Sequence, residues 1–152
     1  MTVRFRLAVA LCALALSACG KSSPAPTSPA GTGIIGEAAA DGSTLKVTAP
    51  TPVSPINGQK PEEFLLVVSN AATKFSAPVA LTYRFEIYNG AGALVHTGFS
   101  GAGSGGTTSY APDADLENEK PYQWRSRAEY QGAAGPWSDL RRALRSRSRR
   151  RA

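Results

Sequence analysis

Several sets of residues in this chain are of types that carry chemistry. Cys19 follows Leu16, Ser17 and Ala18, and a thiolate is the one side-chain type here able to take up an alkyl group as a thioether. Ser104, inside Ala102-Gly103-Ser104-Gly105-Gly106, and His96 are the raw materials of a serine hydrolase. A nucleophile elbow places its serine on a strand-to-helix turn with the histidine downstream, whereas His96 is the only histidine and lies upstream. Gly101, Gly103 and Gly106 spell G-x-G-x-x-G, but a phosphate cradle needs a helix immediately after it, and Thr107 onward reads as strand. Asp113, Asp115, Glu117 and Glu119 alternate and offer oxygens for calcium or for general acid–base work. An EF-hand loop would require glycine where Asn118 stands, so these read as a solvated acidic loop. Trp137, with Tyr130 and Tyr110, could stack a sugar. In a purely structural role its indole would instead lie under Arg125 and Arg127, worth about 0.5–1 kcal/mol at an exposed site. The structural role is the preferred one. No catalytic residue, metal site or cofactor is assigned.

The elements that must position these groups begin with residues 1–18. Arg4 and Arg6 form a positive n-region, Leu7 to Leu16 is apolar apart from Cys12, and small residues lead to Cys19. That is the layout of a signal peptide, and its apolar run is too short to cross a bilayer. Leu16-Ser17-Ala18-Cys19 resembles the lipobox of bacterial lipoproteins, which implies cleavage before Cys19 and acylation of its thiol. A single acyl chain holds a protein only marginally, and stable anchoring takes two or more. Gly20 follows the cysteine where aspartate would signal inner-membrane retention, so the resemblance implies an exported protein anchored in the cell envelope, at the outer membrane, on its periplasmic face or at the cell surface. The membrane, through acylated Cys19, is thus the first expected partner.

Residues 19–44 read as the acylated cysteine and a Pro/Ser/Gly-rich linker, with Pro24, Pro26 and Pro29 among small polar residues; Ile34 to Thr44 is either linker or a weakly ordered lead-in. From Gly20 to Leu140 there are eight basic and eleven acidic residues, a net of −3; from Arg141 to Ala152 seven arginines and no acid give +7. The folded part is mildly acidic and the basicity belongs to the tail. Cys12 leaves with the signal and Cys19 is acylated, so no disulfide is expected within the domain.

From Leu45 to Leu140 the pattern is strands and turns. Ala49 to Pro55, with three prolines, fits only an edge strand. Phe64 to Val68 is a continuous apolar run suited to a sandwich interior. Leu81, Tyr83, Phe85 and Ile87 alternate with polar residues, Asn89-Gly90 supplies a hairpin turn with positive φ, and Ala93 to Thr97 returns. Thr107 to Ala111 is a short strand. Tyr122, Trp124, Ser126 and Ala128 share one face of a further strand, with Gln123, Arg125, Arg127 and Glu129 on the other. The fold class expected is all-β, an immunoglobulin-like sandwich after a signal peptide and disordered linker.

Over roughly Ala49 to Leu140 the chain resembles a fibronectin type III domain. The match is carried by the proline-rich first strand ending in Ser54-Pro55-Ile56-Asn57-Gly58, by Leu81 to Ile87, by Leu116 six residues ahead of Tyr122, and by Gly135-Pro136-Trp137-Ser138. The resemblance implies that Tyr122 forms a tyrosine corner. The usual tryptophan of the second strand is missing, and Trp124 could fill the core from the opposite sheet. Asp139 to Leu144 lacks the apolar alternation of a last strand, leaving residues 141–152 as an Arg-rich tail, disordered or a disrupted strand. Such a tail is solvated, binds a polyanion in a salt-dependent manner, or is the product of a reading-frame shift.

The functional expectation is a membrane-anchored lipoprotein displaying a non-catalytic binding, adhesion or spacer module, with Trp137, Tyr130, Arg125 and Arg127 as the candidate surface and a protein or glycan as partner. Nucleic acid is not expected as a partner. The alternatives are polyanion binding through the tail, or a small cell-wall glycan hydrolase or carbohydrate-binding module.

Overall fold

The computed structural model describes residues 34–73 and 79–145. Eight strands appear in them: β1 (Thr51–Ser54), β2 (Leu66–Ser69), β3 (Thr82–Asn89), β4 (Leu94–Gly101), β5 (Thr107–Tyr110), β6 (Pro121–Tyr130), β7 (Ala133–Ala134) and β8 (Arg141–Leu144). They form two antiparallel sheets. One has the order β1-β2-β5; the other has the order β4-β3-β6, with β7 and β8 both pairing the far side of β6. The cysteine and the lipobox-like residues lie outside the described residues.

The two-residue periodicity of β3 and β6 builds the core. Tyr83, Phe85 and Ile87 from β3 and Tyr122, Trp124 and Ala128 from β6 point inward and meet Leu66 and Val68 of β2. Each large apolar side chain so buried contributes about 1.5–3 kcal/mol. Trp124 is fully buried and its indole N–H donates to the Pro55 carbonyl at 2.8 Å. The core tryptophan absent from the second strand is thus supplied by the facing sheet, its one polar atom satisfied. Tyr83 places its hydroxyl as acceptor for the Ala71 N–H at 2.6 Å.

Three expectations need correction. Ile34 to Thr44 is part of the folded domain, not linker: Ile35 bridges Leu45, the Thr44 and Leu45 N–H groups both donate to the Ala134 carbonyl, and Ile34 and Leu45 are buried. Local composition reads as linker because only two large apolar residues, Ile34 and Ile35, precede the Asp41-Gly42 turn, yet both ends of this small hairpin find tertiary partners. The β3–β4 turn takes its left-handed residue at Gly92 (φ 83°), not at Asn89-Gly90; Asn89 accepts the Ala91 and Ala93 N–H groups with its side-chain oxygen. Finally, the last strand forms. Arg141–Leu144 pairs Pro121–Trp124 of β6, and the Leu144 N–H donates to the Gln59 carbonyl on its other side. Only Ala143 needs to face the core there, so an arginine-rich strand suffices.

The chain enters and leaves at opposite poles. The Ile34–Leu45 hairpin sits by Ala134, next to the C-terminal end of β6, while Arg145 bonds Lys120 and Glu119 just before its N-terminal end. Ten residues of β6 separate them, roughly 30 Å at about 3.3 Å per residue.

Candidate binding face

The corner at the start of β6 is closed by one hydroxyl. Tyr122 accepts the Glu117 N–H at 2.8 Å and its oxygen lies 3.4 Å from the Glu117 carbonyl, while Phe64 meets its ring edge-on at 6.1 Å. This fixes the acidic loop against the sandwich. Beside it a shallow depression of about 260 Å³ is lined by Asn89, Gly90, Glu117, Lys120 and Tyr122 among others. Asn89 is spent on the β3–β4 turn and Lys120 lies 3.9 Å from Glu117, so no second carboxylate faces Glu117 across it.

The outer face of the larger sheet is where charge and aromatic surface collect. Register sets Arg84 opposite Arg127 and Glu86 opposite Arg125. The segment after β7 is pinned along β6: the Ser138 N–H donates to the Ser126 carbonyl, and the Ser138 hydroxyl accepts the Ser126 N–H. Ser138 therefore points in and its neighbour Trp137 points out. The indole lies over two guanidiniums, Arg125 at 4.1 Å and Arg127 at 4.5 Å. Arg125 also sits over the Tyr88 ring at 5.3 Å.

Glu86 is the hub of this face. Almost fully buried, it accepts from Arg125 Nε at 3.0 Å and Nη2 at 2.8 Å, from the Tyr88 hydroxyl at 2.5 Å, and pairs with Arg84 at 3.0 Å. Burial pushes its carboxyl pKa up, but hydrogen bonds from Tyr88 and Arg125 and the charges of Arg125 and Arg84 outweigh that and hold it below the usual glutamate value. Sequence reading missed Glu86, Arg84 and Tyr88: alternation puts all three on the polar face of one strand, but only the register of β3 against β6 brings them to Arg125.

Of the residues expected to form a binding surface, the structure brings together Trp137, Arg125 and Arg127. Tyr130 and Tyr110 are excluded from that group, because both pack against the core from inward positions. Tyr110 stacks on Phe85 at 5.1 Å and its hydroxyl meets His96 Nε2 at 2.6 Å. His96, on β4, thereby bridges the two sheets. Burial and the nearby Asp113 charge raise the Tyr110 pKa. Ser104 lies in a single 3₁₀ turn (Ser104–Gly106) in which Gly105 and Gly106 take positive φ, so no helix follows the glycines.

Strand order β1-β2-β5 facing β4-β3-β6-β8, with the tyrosine corner at β6, matches the lettering A-B-E against C′-C-F-G of immunoglobulin-like sandwiches. The fold is an all-β, immunoglobulin-like sandwich of two antiparallel sheets. No protein-family model and no curated protein matches the chain. Solved structures similar to it include the FN1–FN3 domains of chicken CNTN1, at 15% identity over 66% of this chain and 35% of that one (TM-score 0.40). This chain therefore spans about a third of that fragment. The sixth fibronectin type III domain of human fibronectin type III domain containing protein 3 is 16% identical over 77% of this chain and 99% of that one (TM-score 0.39). A fibronectin type III domain derived from human KIAA0970 protein is 16% identical over 66% and 73% (TM-score 0.37).

Proposed function

We propose that this protein is a lipid-anchored envelope protein whose fibronectin type III-like sandwich serves as a non-catalytic binding or spacer module. The observation that carries the non-catalytic part is the pairing on the outer face of the larger sheet: Arg84 and Arg125 both pair with Glu86, Arg127 pairs with Glu129, and Arg125 and Arg127 both lie against Trp137. Groups so committed brace a sheet; a general acid or nucleophile has to be released toward a substrate. The anchored part rests on Leu16-Ser17-Ala18-Cys19 and on the positive and apolar segment ahead of it. Trp137 with Arg125 and Arg127 remains the surface offered to a protein or glycan, with the periplasmic face of the outer membrane or the cell surface as its place of work.

Intact mass of the protein extracted from its membrane fraction tests the reading. A species running from Cys19 to Ala152 plus acyl chains is expected, with Cys19→Ser recovered unacylated. Recovery of the unsubstituted protein as a soluble, unmodified species would overturn the anchor. Turnover of any cell-wall glycan that is lost in Glu117→Gln would overturn the non-catalytic module.

A further inference from the structure

The outer faces of the two sheets differ in charge. On the smaller sheet the outward positions are Thr51, Val53, Val67, Ser69, Thr107 and Ser109, none of them charged. On the larger sheet the outward positions of β3, β6 and β8 hold four guanidiniums, Arg84, Arg125, Arg127 and Arg142, against two carboxylates, Glu86 and Glu129, a net of +2 among the described residues. Asp139 and Arg141, at its margin, pair with each other and cancel. The face is thus cationic although Gly20 to Leu140 sums to −3.

The shortage of negative charge falls on Arg84. Glu86 serves two guanidiniums at once: Arg125 takes Oε2 with both Nε and Nη2, at 3.0 and 2.8 Å, whereas Arg84 reaches Oε1 with Nη2 alone, at 3.0 Å. Arg127 turns both its Nε and its Nη2 to Glu129. The Arg84 Nε is buried and has no acceptor among the described residues. Register also sets Arg84 directly opposite Arg127, and like charges so placed repel each other. Two opposed guanidiniums, one of them sharing its carboxylate with a third, attract a further anion. The Arg84 side chain is 30% exposed, open to a ligand from the solvent side.

The neighbour of Arg84 on the same row names the ligand. Phe99 stands beside it on β4, and at 55% it is the most exposed large hydrophobic among the described residues. The Arg84 guanidinium lies 6.0 Å from the centroid of that ring, and β4 carries no acid that could neutralise it. The strand is fixed from behind: His96 meets Tyr110 at 2.6 Å, and the Ser100 hydroxyl donates to the Ser109 carbonyl at 3.0 Å. A platform already ordered saves the cost of ordering it on binding. A bare aromatic ring next to an under-neutralised guanidinium suits a unit that has a ring with apolar C–H faces and a carboxylate on that ring. We infer that the Phe99–Arg84 row binds a uronic acid residue of an acidic glycan, the sugar face laid on Phe99 and the carboxylate taken by Arg84, whose planar fork matches its two oxygens. Arg127 supplies the second positive charge behind it. An acidic side chain of a peptide would satisfy Arg84 but leave Phe99 uncovered. This inference rests on the reading of the sandwich as a binding module and names the chemistry of its partner.

Calorimetric titration of the purified full chain in detergent with oligogalacturonate tests this, with the fully methyl-esterified oligomer as a neutral probe of the same sugar ring. The acid form is expected to bind, more weakly as salt rises, and the ester to bind weaker by roughly tenfold or more. Arg84→Gln is expected to weaken binding of the acid form by roughly tenfold. Phe99→Ala is expected to weaken it several-fold, and because that ring is exposed its removal tests the site without disturbing the Glu86 pairs. Val53→Ala, on the uncharged face, leaves the affinity unchanged. Equal binding of acid and ester overturns the proposal, as does binding indifferent to both variants. Tighter binding of poly-glutamate overturns it too, in favour of an acidic protein partner. No binding at millimolar oligomer overturns it and leaves the non-catalytic module standing, whereas an oligomer recovered in shortened form overturns both.

Discussion

The two faces of β6 are built from the same ten residues and hold the molecule together by different means. On the inner face Tyr122, Trp124, Ser126 and Ala128 are buried, and their polar atoms are mostly satisfied by single bonds to backbone. On the outer face Gln123, Arg125, Arg127 and Glu129 are half-exposed, and the charged three are satisfied within this face: Arg127 by Glu129, Arg125 by Glu86, and both arginines against Trp137. The inner face draws its energy from area removed from water, which is large and indifferent to pH. The outer face draws on charge and cation–π contact, which is smaller, screened by salt and dependent on protonation. A tryptophan on each face makes the contrast measurable.

Trp124→Ala is expected to cost about 3–5 kcal/mol in urea unfolding, because a cavity opens between the sheets and the Pro55 carbonyl loses its donor. An effect near that of a surface residue would break the contrast. Next in size, Glu86→Gln should cost about 1–2 kcal/mol near neutral pH, since its arginine partners are about a third exposed and partly screened. The depressed folded pKa gives this contribution a direction: it is complete above the ordinary glutamate value of 4.5 and is lost as pH falls through the lower folded value. The stability difference between the parent and the glutamine variant should therefore shrink over that acid range, and a constant difference would mean that Glu86 acts through packing.

The inner face also holds an isolated hydroxyl. Tyr122→Phe leaves the ring in place and the Glu117 N–H without its acceptor, an expected loss of about 1 kcal/mol read from the denaturation midpoint. Smallest of all, Trp137→Ala should cost about 0.5–1 kcal/mol and less at high salt. If the same substitution abolished binding to a glycan array at unchanged stability, Trp137 would be a recognition residue first and a brace second.

Alternation made the inner face legible from sequence: Tyr83, Phe85 and Ile87 against Tyr122, Trp124 and Ala128 is a period of two that no other element type would carry. The Arg125–Trp137–Arg127 contact was legible for the same reason, since two arginines two residues apart share a face. What the sequence could not convey were contacts set by register between distant segments. Glu86 becomes a hub only because β3 lies against β6 with Glu86 opposite Arg125. Ile34 joins the core only because Ala134 receives two N–H groups from the hairpin around it. The β8 strand has almost no apolar signal of its own, and its existence depends on backbone bonds to β6 on one side and Gln59 on the other. Tyr110 and His96 look like surface residues until Gly98, two positions beyond His96, is seen to clear the space for the Tyr110 ring.

The entry of the chain at one pole and its exit at the other determine how the module would carry mechanical load. Tension applied through Ile34 and Arg145 runs along the strands, not across them. The β8–β6 ladder has its hydrogen bonds perpendicular to the strands, so it would be sheared with all its bonds strained together instead of being unzipped one by one. A module tethered at one pole and gripped at the other would yield abruptly, at the four-residue β8, before the ten-residue strand behind it gave way.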